Sequence, residues 1–159
     1  MRGICFKDEM FEAVIHGRKT VTRRMNRRYN KGEILYLKEP YVIDDGFIFY
    51  KYSSVYLCDK RWKNKLFMPE RYARYRIEIT DVREERLHDI TDDECFKEGV
   101  YKVIHRIFCD ISETLYSVSG HFDLFTTPQL AFACLFDEIN GAGTWDSNPV
   151  VTRYEFKLI

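Results

Sequence analysis

Residues 74–83, Arg74-Tyr75-Arg76-Ile77-Glu78-Ile79-Thr80-Asp81-Val82-Arg83, alternate between apolar and polar side chains more cleanly than any other part of the chain. A period of two sends successive side chains to opposite faces of a strand, so Tyr75, Ile77 and Ile79 turn toward a core while their charged neighbours stay in water. Val82 joins the inner set through a bulge or twist after Ile79. The segment is a strand with one wet face, and whatever fold the chain adopts has to supply a sheet around it.

The flanking segments are read in the same way. Asp8 to His16 has apolar Met10, Phe11, Val14 and Ile15 at helical spacing, early acids and Gly17 just past its end, which predicts a short amphipathic helix. Lys31-Gly32 reads as a turn, Glu33 to Glu39 as a strand, and Asp44-Asp45-Gly46 as the turn of a hairpin between Tyr41-Val42-Ile43 and Phe47-Ile48-Phe49-Tyr50. Residues 33–57 are expected to be antiparallel sheet. Thr91-Asp92-Asp93-Glu94 has capping-box spacing, with a two-turn helix ending at Glu98 before Gly99. Thr127-Pro128 opens a longer helix in which Leu130, Ala131, Cys134, Leu135 and Ile139 keep helical spacing, and Val150 to Ile159 forms a closing strand after the loop 141–149. Residues 101–125 have no clean period, receive no element, and read as an insertion.

Helix, strands, short helix, longer helix and final strand do not alternate as repeated βαβ units, which argues against a doubly wound sheet. A single α+β domain over residues 1–159 is expected, built as a small, partly closed barrel with helices at its ends or sides. Closure protects the edges of an antiparallel sheet of this size.

Twenty-five basic and twenty-five acidic residues cancel, but they are segregated along the chain. Seven bases and no carboxylate lie between Glu12 and Glu33, seven bases face only Glu70 between Lys60 and Arg76, and eight acids face three bases from Asp81 to Glu98. Such a distribution is able to focus an anion on one face. Cys5, Cys58, Cys95, Cys109 and Cys134 are odd in number and never form C-x-x-C, which points to neither a disulfide framework nor a zinc site. His16, His88, His105 and His121 lack ligand spacing, and His105 with Cys109 supplies only two donors, so neither metal nor cofactor is expected. No apolar run resembles a signal peptide or a membrane span, and a reducing cytoplasm is the expected setting.

There is no G-x-S-x-G elbow, no Walker-type loop and no H-E-x-x-H, and Gly141-Ala142-Gly143 lacks the features of a dinucleotide turn. What remains is Gly17-Arg18-Lys19-Thr20-Val21-Thr22-Arg23-Arg24. Full extension would place Lys19 and Thr22 on opposite faces, whereas a turn after the helix stop at Gly17 would bring them together. A lysine in a partly buried cleft loses part of its preference for the charged form, and a neutral amine beside a hydroxyl takes its proton and makes it a nucleophile. Residue types alone favour the plainer reading of the same segment, a solvated loop whose cations bind phosphate and nothing more.

At these residues the chain resembles the ASCH family, a branch of the PUA-like folds, whose signature is G-x-K-x-x-T-x-R after the first helix. The resemblance to phage-type members continues through Gly32-Glu33, Glu39-Pro40, Arg61-Trp62, Met68-Pro69, the segment from Ile90 to Gly99, Trp145-Asp146-Ser147-Asn148-Pro149 and Tyr154-Glu155-Phe156-Lys157. It implies a PUA-like, small mixed or antiparallel β-barrel flanked by helices, with a cationic cleft that binds RNA or a nucleotide. One branch of the family comprises small enzymes that hydrolyse the amide of 4-acetylcytidine. Carried over by motif, Lys19 is the proton acceptor, Thr22 the nucleophile, Glu98 their partner and Arg24 a substrate anchor. The enzyme branch is shorter, lacking material like residues 53–70 and 101–125, and has an apolar residue where Arg23 stands.

Three functions follow as expectations: an RNA- or nucleotide-binding domain, an amidohydrolase of a modified nucleoside, or an accessory protein of a phage or mobile element acting through a protein partner. For binding, Arg18, Arg23, Arg24 and Arg74 suit bidentate phosphate contacts, and Trp62, Tyr72 or Trp145 would stack on a base.

Overall fold

The computed structural model describes residues 1–53, 61–108, 111–118 and 123–159, with residues 105–108 and 111 as backbone only. Cys58, Cys109, His121, the His105 side chain and residues 54–57 of the expected sheet lie outside the described residues.

The alternating segment becomes the central strand β6 (Arg76–Arg86), longer at its C-terminal end than the alternation suggests. Ile77 and Ile79 are fully buried, and the ladder to the last strand, β9 (Val150–Leu158), slips between Ile79 and Asp81. That irregularity is the shift that returns Val82 toward the core, where it is half-buried against the apolar cluster. On the other side β6 pairs antiparallel with β3 (Ile34–Lys38).

Two further strands were not anticipated from the sequence. β1 (Arg2–Cys5) runs parallel to β3, and β2 (Val21–Arg24) runs antiparallel to β9, giving a five-stranded mixed sheet in the order β1-β3-β6-β9-β2. At four residues each, both escape a periodicity search. The molecule is therefore α+β, but no ladder joins β1 to β2, so pairing does not close the sheet into the expected barrel. Side chains span the gap instead: Arg24 Nη2, on β2, donates to the Cys5 carbonyl at 2.8 Å, and the hydroxyl of Tyr29, from the loop after β2, donates to the Gly3 carbonyl at 3.4 Å.

Helix α1 (Asp8–Ile15) connects those edges and buries Met10, Phe11, Ala13 and Val14, while Ile15 is only half-buried. The expected hairpin forms as β4 (Tyr41–Asp44) and β5 (Phe47–Tyr50), but as a separate two-stranded sheet. Residues 101–125, unassigned from sequence, contain most of a second hairpin, β7 (Val100–Phe108) with β8 (Ile111–Val118). It packs on α2 (Asp92–Lys97) and on α3 (Pro128–Asn140), and so makes contacts that a local period does not register.

Thr91 caps α2 by accepting from Glu94 N at 3.3 Å, but the reciprocal half of the expected capping box is absent because the Glu94 side chain turns to arginines on the sheet. In α3 the buried stripe is Ala131, Phe132, Leu135 and Phe136; Leu130 and Ile139, expected to face inward, are about half exposed. The two phenylalanines reach the sheet core, and this sets the helix's rotation. Among the described residues no helix is long and apolar enough to cross a membrane.

Candidate functional site

Helix α1 ends where Gly17 adopts φ +70, and the amides of Arg18 and Lys19 fold back onto the Ala13 carbonyl at 2.8 and 2.9 Å. The chain then straightens into β2, with Thr20 N donating to the Lys97 carbonyl at 2.9 Å. This bond lays the segment against the end of α2. Lys19 Nζ consequently donates to both the carbonyl and the carboxylate of Glu98, at 2.7 and 2.5 Å, with both side chains 3% exposed.

Glu98 is the C-cap of α2 and is turned inward by Gly99, whose φ of +106 is a conformation that L side chains rarely adopt. A Cβ at this position would also come within 3.2 Å of Met10 Sδ. Gly99→Ala is expected to cost about 1–3 kcal/mol, read as a lower melting temperature. A variant that melts like the parent would show that this backbone does not constrain Glu98.

The second oxygen of Glu98 accepts from Arg23 Nη1 at 3.1 Å. Arg23 also donates from Nε to Glu85 at 2.7 Å and from Nη2 to Glu94, and its side chain is completely enclosed. Arg23, Arg153 and Arg83 stand directly opposite one another across β2, β9 and β6. Like charges in register repel. Glu94 offsets this by accepting from all three, with Arg83 Nη2 and Arg153 Nε each at 2.8 Å.

These contacts order the protonation equilibria. Burial works against the charged form of Arg23, but Glu98, Glu85 and Glu94 outweigh it and hold its pKa above the ordinary value. Burial lowers Lys19 below a free lysine, against the opposing pull of Glu98 and with help from Arg24 and Arg23. Burial also lowers Arg24. Glu94 is held below the ordinary carboxylate value because Arg23, Arg153 and Arg83 together exceed the effect of its burial.

A carboxylate lowered on folding contributes stability that is complete above its unfolded pKa, near 4.5 here, and is lost as pH falls through the folded value. Asp8, held low by Lys65 and Lys51 against its own burial, behaves in the same way. The melting temperature is expected to fall with acidification through that window, and Glu94→Gln to flatten part of the decline.

Lys19, Thr22, Arg23, Arg24 and Glu98 line one cleft of about 270 Å³. Its opposite wall is apolar, made by Phe6, Met10 and, from α3, Phe132, Leu135 and Phe136. Lys7 and Glu138, which form an ion pair, also line it. Thr22 is buried, and its hydroxyl makes no hydrogen bond among the described residues. Arg24 packs over the Phe6 ring at 5.4 Å and uses one nitrogen on Cys5, leaving donors for a ligand.

The other residues singled out from sequence lie elsewhere. Arg74 makes a bidentate pair with fully buried Glu39 at 2.9 and 2.6 Å and sits over the Tyr50 ring at 4.1 Å. Trp145 packs against Phe132 and His88, Trp62 is half-buried away from the cleft lining, and Arg18 is exposed. Sequence reasoning missed Glu85, Glu94, Arg83 and Arg153. The signal was present for Arg83 and Glu85, two residues apart on one face of a strand, but their partners come from other elements. Among the described residues no group of three or more His, Cys, Asp or Glu is placed to hold a metal ion. No protein-family model, curated protein or solved structure matches the chain.

Proposed function

We propose that the cleft hydrolyses the amide of a small acylated nucleoside, with 4-acetylcytidine as the reference substrate. The observation that carries this reading is a buried lysine amine held on a carboxylate, in the same cleft as an unpartnered threonine hydroxyl. The ASCH resemblance supports it, and Arg24 on β2, reaching the Cys5 carbonyl on β1, brings the two edges of the open sheet together beside the cleft. A volume of about 270 Å³, just under the roughly 300–1,000 Å³ common for ligand pockets, suits a modified base and its acyl group.

In this mechanism Thr22 Oγ1 attacks the acyl carbonyl carbon while Lys19, whose burial works against its charged form, takes the hydroxyl proton. Arg24 meets the charge developing on the carbonyl oxygen. As the C–N bond breaks, Lys19 returns the proton to the departing exocyclic amine, giving cytidine and an acyl-threonine ester. Water then attacks the ester, with Lys19 again accepting and returning a proton, and acetate and free Thr22 result. Glu98 holds the Lys19 amine in place throughout.

Arg18, Arg27 and Arg28 are exposed and form no ion pair among the described residues, which favours a substrate carried on RNA over a free nucleoside. Arg23 does not add to these exposed cations, since carboxylates occupy its edges. The experiment is a hydrolysis panel on purified protein, offering 4-acetylcytidine free and within an oligoribonucleotide at several salt concentrations. Acetate release is expected, with salt weakening only the RNA-borne reaction. No acetate release from either substrate would overturn the reading.

A further inference from the structure

The arginine ladder on β2, β9 and β6 has a consequence for the chemistry of Lys19 that its structural role does not require. Arg23 presents three edges to three carboxylates: Nε to Glu85, Nη2 to Glu94 and Nη1 to Glu98. A guanidinium is planar and its donors form a rigid fork, so fixing two edges fixes the direction of the third. Glu94 and Glu85 are themselves held from the far side by Arg83, and Glu94 also by Arg153. Glu98 Oε1 is thus pinned from the sheet, and Oε2 is left facing Lys19 Nζ at 2.5 Å.

We infer that Glu94, Glu85 and Arg23 are positioning residues, an outer relay that aims the Glu98 carboxylate at Lys19 and sets the charge balance around that amine without touching the ligand. The inference builds on the proposed function but is tested separately from it.

The charged and titratable groups around Lys19 are Glu98 from the end of α2, Arg23 and Arg24 from β2, Cys5 from β1, and Lys7 and Glu138, which line the same cleft. Glu94 does not contact Lys19. Removing its charge leaves Arg23 less compensated, so the positive potential at Lys19 rises and the amine releases its proton more readily. A merely structural role predicts the opposite sign: a loosened cleft admits water and lets Lys19 return upward toward an ordinary lysine.

The test is an NMR titration of the lysine side chains in the full chain, with Lys19 assigned by Lys19→Met and folding followed by circular dichroism. Glu94→Gln is expected to move the Lys19 midpoint to lower pH, and Glu85→Gln, which leaves Glu94 in place, to move it the same way by a smaller amount. The second variant keeps the question open to refutation if the first fails to fold. An unchanged or raised midpoint in a folded variant would overturn the relay. If the parent protein also releases acetate, the acid limb of kcat/KM is expected to shift in step with the midpoint. If it releases none, the proposed reaction fails while the titration still decides the relay.

Discussion

Thr22→Ala is expected to abolish acetate release from 4-acetylcytidine, lowering kcat/KM by on the order of 10⁴-fold or more, the scale seen when a nucleophile is removed from a covalent mechanism. Its melting temperature is expected to stay close to that of the parent, because the lost hydroxyl has no hydrogen-bond partner among the described residues. Thr22→Ser keeps the nucleophilic oxygen and is expected to retain measurable turnover. Mass spectrometry of the parent trapped during turnover should show one acyl group on the peptide containing Thr22. Turnover that survives Thr22→Ala would remove the residue from the chemistry and leave water, activated by Lys19, as the attacking group.

Arg23→Met is expected to give the largest loss of stability. It removes the cation shared by Glu85, Glu94 and Glu98 and leaves Glu98, 2% exposed, with Lys19 as its remaining charged partner. Breaking a buried charge network by deleting one member costs about 3–5 kcal/mol, a large part of the roughly 5–15 kcal/mol that keeps a domain folded. The melting temperature is expected to drop on the order of 10 °C. Arg23→Lys restores the charge but not the fork and is expected to recover only part of the loss. A parent-like melting curve for Arg23→Met would mean that the three carboxylates find water or other partners at little cost.

These two variants separate neighbouring residues that look alike in sequence. Thr22 and Arg23 both belong to the G-x-K-x-x-T-x-R segment, yet Thr22 has a hydroxyl available to a ligand, whereas each edge of Arg23 is occupied by a carboxylate. From residue type alone Arg23 suited a phosphate contact, because an arginine's partners cannot be read from its own position.

Several elements were legible because their cause is local. The alternation around Ile77 and Ile79 predicts the central strand and the slip that follows it, Gly17 and Gly99 predict the ends of α1 and α2, and Thr127-Pro128 predicts the start of α3. The misses are non-local. β1 and β2 are four-residue strands stabilised by partners on β3 and β9; the 101–125 region pairs into a hairpin whose packing surface is α2 and α3; and α3 turns Phe132 and Phe136, rather than Leu130 and Ile139, toward the core.

The sequence by itself determined a strand over 74–83, the helix stop at Gly17, the capped α2 ending beside Glu98, and the presence of Lys19 and Thr22 at a spacing that a turn brings together. Only the tertiary structure decided that Lys19 meets Glu98, that Arg23 faces inward onto three carboxylates, and that the edges of the sheet meet through Arg24. The physical reason is range. Backbone preference and side-chain periodicity act over a few residues, whereas charge pairing and burial act between elements as far apart in the chain as Lys19 and Glu98, and take effect once the sheet has brought those elements together.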